Sequence, residues 1–260
     1  MKENPKISVV TVCYNAVDTI EKTILSVINQ TYQNIEYIII DGASTDGTVD
    51  IINKYRDKIG YFVSEPDKGI YNAMNKGIKV ATGEWINFMN AGDAFFSNSV
   101  VTEVVKNIEK GSIIIYGDTM VHYSEGKKLY KPIPLDNIEK KMFFNHQSSF
   151  ANTACMKNYL FDESYKLCAD YKFHYDIYKK GMKFQYVQVV IANYDGQNGA
   201  SSTHYPLLLK EYGRVQGRTK SPKWNVFCYF KIFLYYLKSM IKMFVPEQLL
   251  KKKRLYDLHH

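Results

Sequence analysis

Residues 7–13 (ISVVTVC) and 35–40 (IEYIII) are near-continuous apolar runs rich in β-branched side chains. A chain buries such a run on both faces in the interior of a parallel sheet. Between them Ile20, Ile24, Val27 and Ile28 recur at helical spacing, and the pattern stops near Gln30. Strand, helix and strand in so short a span make a right-handed βαβ unit. The alternation repeats. A small, polar loop at 41–48 (DGASTDGT) leads into a helix through Val49, Ile51, Ile52 and Tyr55, with Thr45 or Asp46 available as its N-cap. Residues 61–63 (YFV) form a short third strand. A helix over 70–81 follows, with Ala73, Met74, Gly77 and Ile78 facing inward, and then a buried strand at 85–89 (WINFM). The expected fold class is α/β: a Rossmann-like, mostly parallel sheet with helices on both faces, binding its ligand at the carboxyl ends of the strands.

The strand at 85–89 empties into Asn90-Ala91-Gly92-Asp93, a turn whose glycine permits positive φ. Asp93 either closes that turn or offers a carboxylate to a hard divalent cation, the partner a pyrophosphate leaving group needs. Past residue 100 the alternation loosens. A helix is expected over 100–108, a strand over 113–116, a hairpin over 119–134 around Ser124-Glu125-Gly126, a helix headed by Cys168-Ala169-Asp170-Tyr171, and a last strand over 184–191. Residues 195–203 (DGQNGASST) read as a mobile loop able to close over a bound ligand.

The 260 residues, 46% of them hydrophobic, suffice for one large domain with an appendage. The net charge of +8 does not describe that domain. From Lys210 onward twelve Lys and Arg oppose three acids, so the first 209 residues are close to neutral. Basicity confined to a tail argues against a nucleic-acid-binding body. Four cysteines with neither metal spacing nor a disulfide framework, and no apolar leader before the first strand, set the expectation of a cytosolic protein.

The segments 10–15 (VTVCYN), 41–48 (DGASTDGT), 67–77 (DKGIYNAMNKG), 81–84 (ATGE) and 90–93 (NAGD) resemble, in order and spacing, the family two inverting glycosyltransferases of GT-A fold. Beyond residue 100 only Ala169-Asp170 still fits a family position. The resemblance implies that Thr11, Tyr14, Asn15 and Asp41 hold the base of a nucleotide-sugar donor, uracil or another. Asp67 either touches the nucleoside or caps the helix after it. Asn90, Ala91 and Gly92 would border the donor, and Asp93 would bind Mg²⁺ or Mn²⁺ bridging its diphosphate. Asn90 and Gly92 stand where the family's metal motif has further aspartates, so His204 or His146 becomes a candidate to complete the ion's ligands. Met74 stands where relatives often carry an arginine that contacts the nucleotide. Asp170 matches the general base that deprotonates the acceptor hydroxyl.

Residues 224–245 are aromatic and aliphatic, interrupted by Lys231, Lys238 and Lys242 on one helical stripe, and Lys251-Lys252-Lys253-Arg254 follows. This pattern predicts an amphipathic helix lying on an anionic membrane surface, or one packed on its own domain or on a second subunit. The division expected is therefore a glycosyltransferase domain over 1–218, with donor-binding (1–100) and acceptor-binding (101–218) halves, and a membrane-associating tail over 219–260. By resemblance the acceptor is a lipid-linked or growing glycan in surface polysaccharide or lipopolysaccharide assembly, at the inner face of the cell membrane. The alternatives are a catalytically inactive relative serving as a glycan-binding scaffold, and a nucleotidyltransferase. The latter lacks support in 11–15, which has no basic, glycine-rich triphosphate grip. The sequence sets no oligomeric state.

Overall fold

Strand β1 (Ile7–Cys13) is buried throughout because its alternate residues enter two different cores. The computed structural model describes residues 4–196, 204–245 and 249. In it, Val10 and Val12 pack with Ala73, Met74 and Ile78 on one face of the sheet. Ile7 and Val9 pack with Ile20, Ile24 and Val27 on the other. The helices supplying those faces are α1 (Ile20–Ile28) and α3 (Ile70–Val80), with α2 (Thr48–Asn53) making the second crossover. Helix α2 starts at Gly47, whose φ is 100°, and the Asp46 carboxylate accepts the Thr48 N–H at 3.0 Å.

β1 pairs in parallel with β2 (Ile35–Asp41) and with β4 (Trp85–Phe88), and β2 pairs in parallel with β3 (Tyr61–Ser64). Beyond them lie β5 (Ala94–Phe95), α4 (Val100–Lys106), β6 (Ser112–Tyr123), β7 (Gly126–Tyr130), β8 (Ser149–Asn152), α5 (Thr153–Asn158), α6 (Ala169–Lys179) and β9 (Lys183–Asp195). Together the strands form a nine-stranded sheet in the order β3-β2-β1-β4-β8-β6-β9-β5, with β7 paired to β6. β1, β2, β3, β4, β6 and β9 all run the same way, and β5, β7 and β8 run against them. The chain reverses its winding between β1 and β4, and such a switch point opens a crevice at the strands' carboxyl ends.

The second half departs from the sequence reading in extent. The strand expected at 113–116 continues through the first arm of the hairpin as β6, and the last strand extends to Asp195. Buried polar positions such as Asp118 and Thr119, together with register shifts along the β6–β9 pairing, break the periodicity that would have shown this. β8, too short for a periodic signal, slips antiparallel between β4 and β6.

α7 (Tyr205–Val215) buries Leu209 and Val215, and α8 (Pro222–Phe244) packs along it. A Cβ on Gly213 would stand 2.3 Å from the Trp224 indole nitrogen, and Tyr205 stacks on Tyr235 with ring centroids 5.4 Å apart. The other side of α8 presents Tyr229, Phe230, Phe233, Tyr236, Met240 and Phe244 as exposed side chains. No described helix is long and apolar enough to cross a membrane. The 197–203 part of the expected loop, the Lys242 side chain and the 251–254 basic cluster lie outside the described residues.

Candidate active site

The loops leaving β1 and β2 are stapled to each other. Asn15, at φ 46°, donates its N–H to Ser44 Oγ at 2.8 Å, and its Oδ1 accepts the Thr45 N–H at 3.0 Å. Asp41 is wholly buried. Its Oδ2 accepts from the Ser44 N–H (2.9 Å) and Ser64 Oγ (2.6 Å), and its Oδ1 accepts from Ser44 Oγ (2.5 Å). Its hydrogen-bonding capacity therefore goes into shaping the loop. Thr11, expected on the donor, is corrected: it is buried in β1 with its hydroxyl donating to the Met89 carbonyl at 2.7 Å and 3.0 Å from Tyr37 Oη. Tyr14, 65% exposed, and Asn15 face outward here, and Asp67 is half-buried. Asp67 Oδ1 caps the Gly69 N–H at 2.7 Å, and Oδ2 faces Gly42, where a Cβ would meet it at 2.6 Å. Only glycine at position 42 permits that approach.

A cleft of about 550 Å³ opens beside these loops. One wall is the turn after β4. The Asp93 N–H closes onto the Asn90 carbonyl at 2.9 Å, Gly92 takes φ 101°, and Thr23 of α1 pins the turn by donating to the Asp93 carbonyl at 2.6 Å. The opposite wall carries Asp170 in the first turn of α6, beside Tyr71 of α3. Between them sits the 3₁₀ turn His146–Ser148, hung from the sheet by Asn87, whose Nδ2 donates to the Gln147 carbonyl at 3.0 Å and the Ser149 carbonyl at 2.8 Å. The structure thus brings Ala91, Gly92, Asp93, His146 and Asp170 to one cavity. His204 is the N-cap residue of α7 and does not line it.

The polar contacts run across the cleft. Gln147 Nε2 donates to Asp93 Oδ1 at 3.3 Å. Asp170 Oδ1 accepts from the Tyr71 hydroxyl at 3.1 Å and the Tyr171 N–H at 2.8 Å. Asp170 Oδ2 lies 3.5 Å from His146 Nδ1, and His146 Nε2 lies 3.2 Å from Asn90 Nδ2. The two carboxylates are pushed apart in acidity. Burial raises the Asp93 carboxyl to about 7, with Asp195 adding to the effect and His146, Gln147 and Lys22 opposing it. Burial also works against the Asp170 anion, but the hydrogen bond and charge of His146, with help from His174 and the Tyr171 N–H, hold it below the usual carboxylate range. His146 is desolvated yet raised, because Asp170 and Asp93 face it. His174, whose Nδ1 lies 2.7 Å from the Asp170 carbonyl, is lowered to about 4 by burial. Two carboxylates of opposed acidity in one cleft form an arrangement suited to base chemistry beside an electrophile or ion.

Asp93 fits a hard cation in one respect: it is a buried carboxylate whose described protein donor is a single amide at 3.3 Å, which leaves its charge largely uncompensated. Among the described residues no three His, Cys, Asp or Glu side chains gather into a metal cage, so an ion there would take its other ligands from the donor's diphosphate and water. Asn87, Gln147 and Tyr71 were not expected as site residues, nor was the His146–Asp170 contact. Only the polar run His146-Gln147-Ser148-Ser149 between Phe144 and Phe150 marked the place.

Known proteins resemble the chain as follows. The profile of Glycosyl transferase family 2 matches residues 8–166. A PGL/p-HBAD biosynthesis glycosyltransferase of Mycobacterium tuberculosis (strain H37Ra) is 27% identical over 206 residues, 76% of this chain and 80% of that protein. The Escherichia coli UDP-Glc:alpha-D-GlcNAc-diphosphoundecaprenol beta-1,3-glucosyltransferase WfaP is 27% identical over 259 residues, 91% of this chain and 94% of that protein. In fold, the chain matches the S. aureus TarS 1–349 fragment in complex with UDP-GlcNAc (TM-score 0.64, 17% identity, 81% of this chain and 66% of that one). It also matches the mannosyltransferase PcManGT from Pyrobaculum calidifontis in complex with GDP-Man and Mn²⁺ (TM-score 0.63, 17% identity, 81% and 65%). The chain spans slightly less than two thirds of each solved protein.

Proposed function

The chain belongs to glycosyl transferase family 2, and from that premise we propose that it moves one sugar, with inversion, from a UDP-linked donor to a hydroxyl of a lipid-linked or growing glycan. The observation that carries this reading is the pairing in one cleft of Asp170 with Ala91, Gly92 and Asp93 of the turn at the sheet's switch point. A single displacement needs one base on the acceptor's side and charge stabilisation on the leaving group's side. The acceptor oxygen bonds to the anomeric carbon and its proton passes to Asp170. The bond from that carbon to the diphosphate oxygen breaks with its electron pair leaving on the diphosphate. Asp93 is the residue that would hold a divalent cation, which when bound neutralises the departing diphosphate's charge. Tyr14, Gly42 and Asp67 offer the nucleoside an aromatic face, a close backbone approach and a carboxylate oxygen.

Several likenesses favour the finer points. TarS is described with UDP-GlcNAc, WfaP by name uses UDP-Glc on a diphosphoundecaprenol-linked sugar, and PcManGT is described with Mn²⁺. The exposed aromatic side of α8 supports a peripheral position on an anionic membrane surface, where lipid-linked acceptors for surface polysaccharide or lipopolysaccharide assembly are found. The test is to screen nucleotide-sugars for thermal stabilisation with Mn²⁺ and then assay transfer from the best stabiliser to a lipid-diphosphate-linked N-acetylglucosamine. An anomeric configuration opposite to the donor's, read by NMR, is expected in the product. A retained configuration or the absence of any transfer rejects the reading.

A further inference from the structure

Of the two Asp170 oxygens, Oδ1 already accepts two hydrogen bonds, from the Tyr71 hydroxyl and the Tyr171 N–H. Oδ2 meets His146 Nδ1 at 3.5 Å, a contact long enough to leave it a lone pair toward the cleft. The imidazole is itself held from behind, its Nε2 lying 3.2 Å from the Asn90 amide nitrogen. Nδ1 is thus the ring nitrogen that faces Asp170, and Nε2 the one that faces Asn90. The turn bearing His146 is fixed by Asn87 from β4 and by the Ser148 hydroxyl, 2.6 Å from Thr119 Oγ1. The chain of contacts Asn90, His146, Asp170 therefore joins the donor-side wall of the cleft to the acceptor-side wall.

We propose that His146 is the positioning residue of the transfer: its Nδ1–H orients the Asp170 carboxylate so that Oδ2 receives the acceptor's proton, and Asn90 holds the imidazole in that orientation. The inference rests on the proposed transferase reading and adds to it the identity of the base oxygen and of the group that aims it.

Two substitutions separate positioning from mere packing. His146→Asn keeps an amide donor near the place of Nδ1 and abandons Nε2. His146→Gln reaches toward the place of Nε2 and loses the donor to Asp170. Both are measured with UDP-glucose and UDP-N-acetylglucosamine in Mn²⁺, on the lipid-diphosphate-linked acceptor, together with their melting temperatures and donor affinities. Both variants are expected to melt and bind donor like the parent. His146→Gln should lower kcat by about 10²-fold, the usual effect of a misplaced reacting group, while His146→Asn keeps most of it. Equal losses in the two variants, or a raised donor KM with kcat unchanged, overturn the positioning role. A parent protein that turns over neither donor overturns the transferase reading itself, so the two failures are told apart.

Discussion

The Glu211 carboxylate on α7 accepts the backbone N–H of Cys168 at 2.9 Å, and Cys168 is the residue directly before the helix that carries Asp170. The same carboxylate also accepts the N–H groups of Lys166 and Leu167, at 2.8 and 2.9 Å. Glu211 is buried, so its removal strands three amides that have no other described acceptor. Glu211→Ala should destabilise the protein by about 3 kcal/mol, which corresponds to a melting-temperature drop on the order of 10 °C for a chain of this size. Glu211→Gln should lose less, because one amide oxygen still accepts. Calorimetry on the two variants checks this, and a parent-like Glu211→Ala would contradict it.

Asp93→Ala should abolish transfer and make nucleotide binding insensitive to Mn²⁺, because the turn would lose its carboxylate. Titration of UDP with and without Mn²⁺ reads the second effect separately from turnover. Unchanged Mn²⁺ enhancement in the variant removes Asp93 as the ion's holder.

Asp170→Asn keeps the shape of the side chain but accepts no proton at neutral pH. Donor affinity should survive while kcat falls by about 10²-fold or more, the ordinary worth of a general base. A collapse of donor affinity instead would make Asp170 structural.

Glu36 gives a pH dependence remote from the cleft. Burial works against its charge, but hydrogen bonds from Ser8, from the Thr82 N–H and hydroxyl, and from Lys6 outweigh it, and its carboxyl is lowered from 4.5 to about 2. A depressed folded value stabilises the fold above the unfolded carboxyl's range, and that contribution is lost as pH falls from 4.5 through about 2. Denaturant melts across that interval should show stability falling in the parent and a flatter profile in Glu36→Gln.

The α8 surface gives a prediction independent of the cleft. Trp224 and Tyr235 pack inward against α7, so cutting the whole helix away would disturb the domain. Replacing Phe230, Phe233, Tyr236 and Met240 by serine removes only exposed side chains. Each large apolar side chain buried at a bilayer interface is worth about 1.5–3 kcal/mol. Cosedimentation with anionic vesicles should therefore vanish, while donor hydrolysis persists. High salt should weaken the parent's binding only in part, since the apolar component is not screened. Vesicle binding that survives the four substitutions would assign the face to another partner.

Local chemistry carried a good part of the fold into the sequence. The doubly buried run of β1, the inward stripe of α3 and the glycine of the Asn90–Asp93 turn follow from side-chain period and backbone sterics within a few residues. Asp170 at the head of a helix was legible for the same reason. What a side chain faces across the fold was not. Thr11 was read as a ligand contact and turned inward, because strand alternation fixes its face while only the packed sheet reveals Met89 and Tyr37 waiting there. Asp41 was read as open to a base, and three serine donors, one of them 23 residues away, take up its oxygens. Asn90 and His146 lie 56 residues apart, and Glu211 reaches back 43 residues to Cys168. Such contacts carry no periodic signal, since they form only when β8 inserts between β4 and β6 and α7 docks beside α6. The sequence by itself determined the parallel β1–β4 part of the sheet and the loops at its carboxyl edge. The tertiary structure decided which atoms of the carboxylates there remain open for chemistry, because that depends on donors arriving from distant segments.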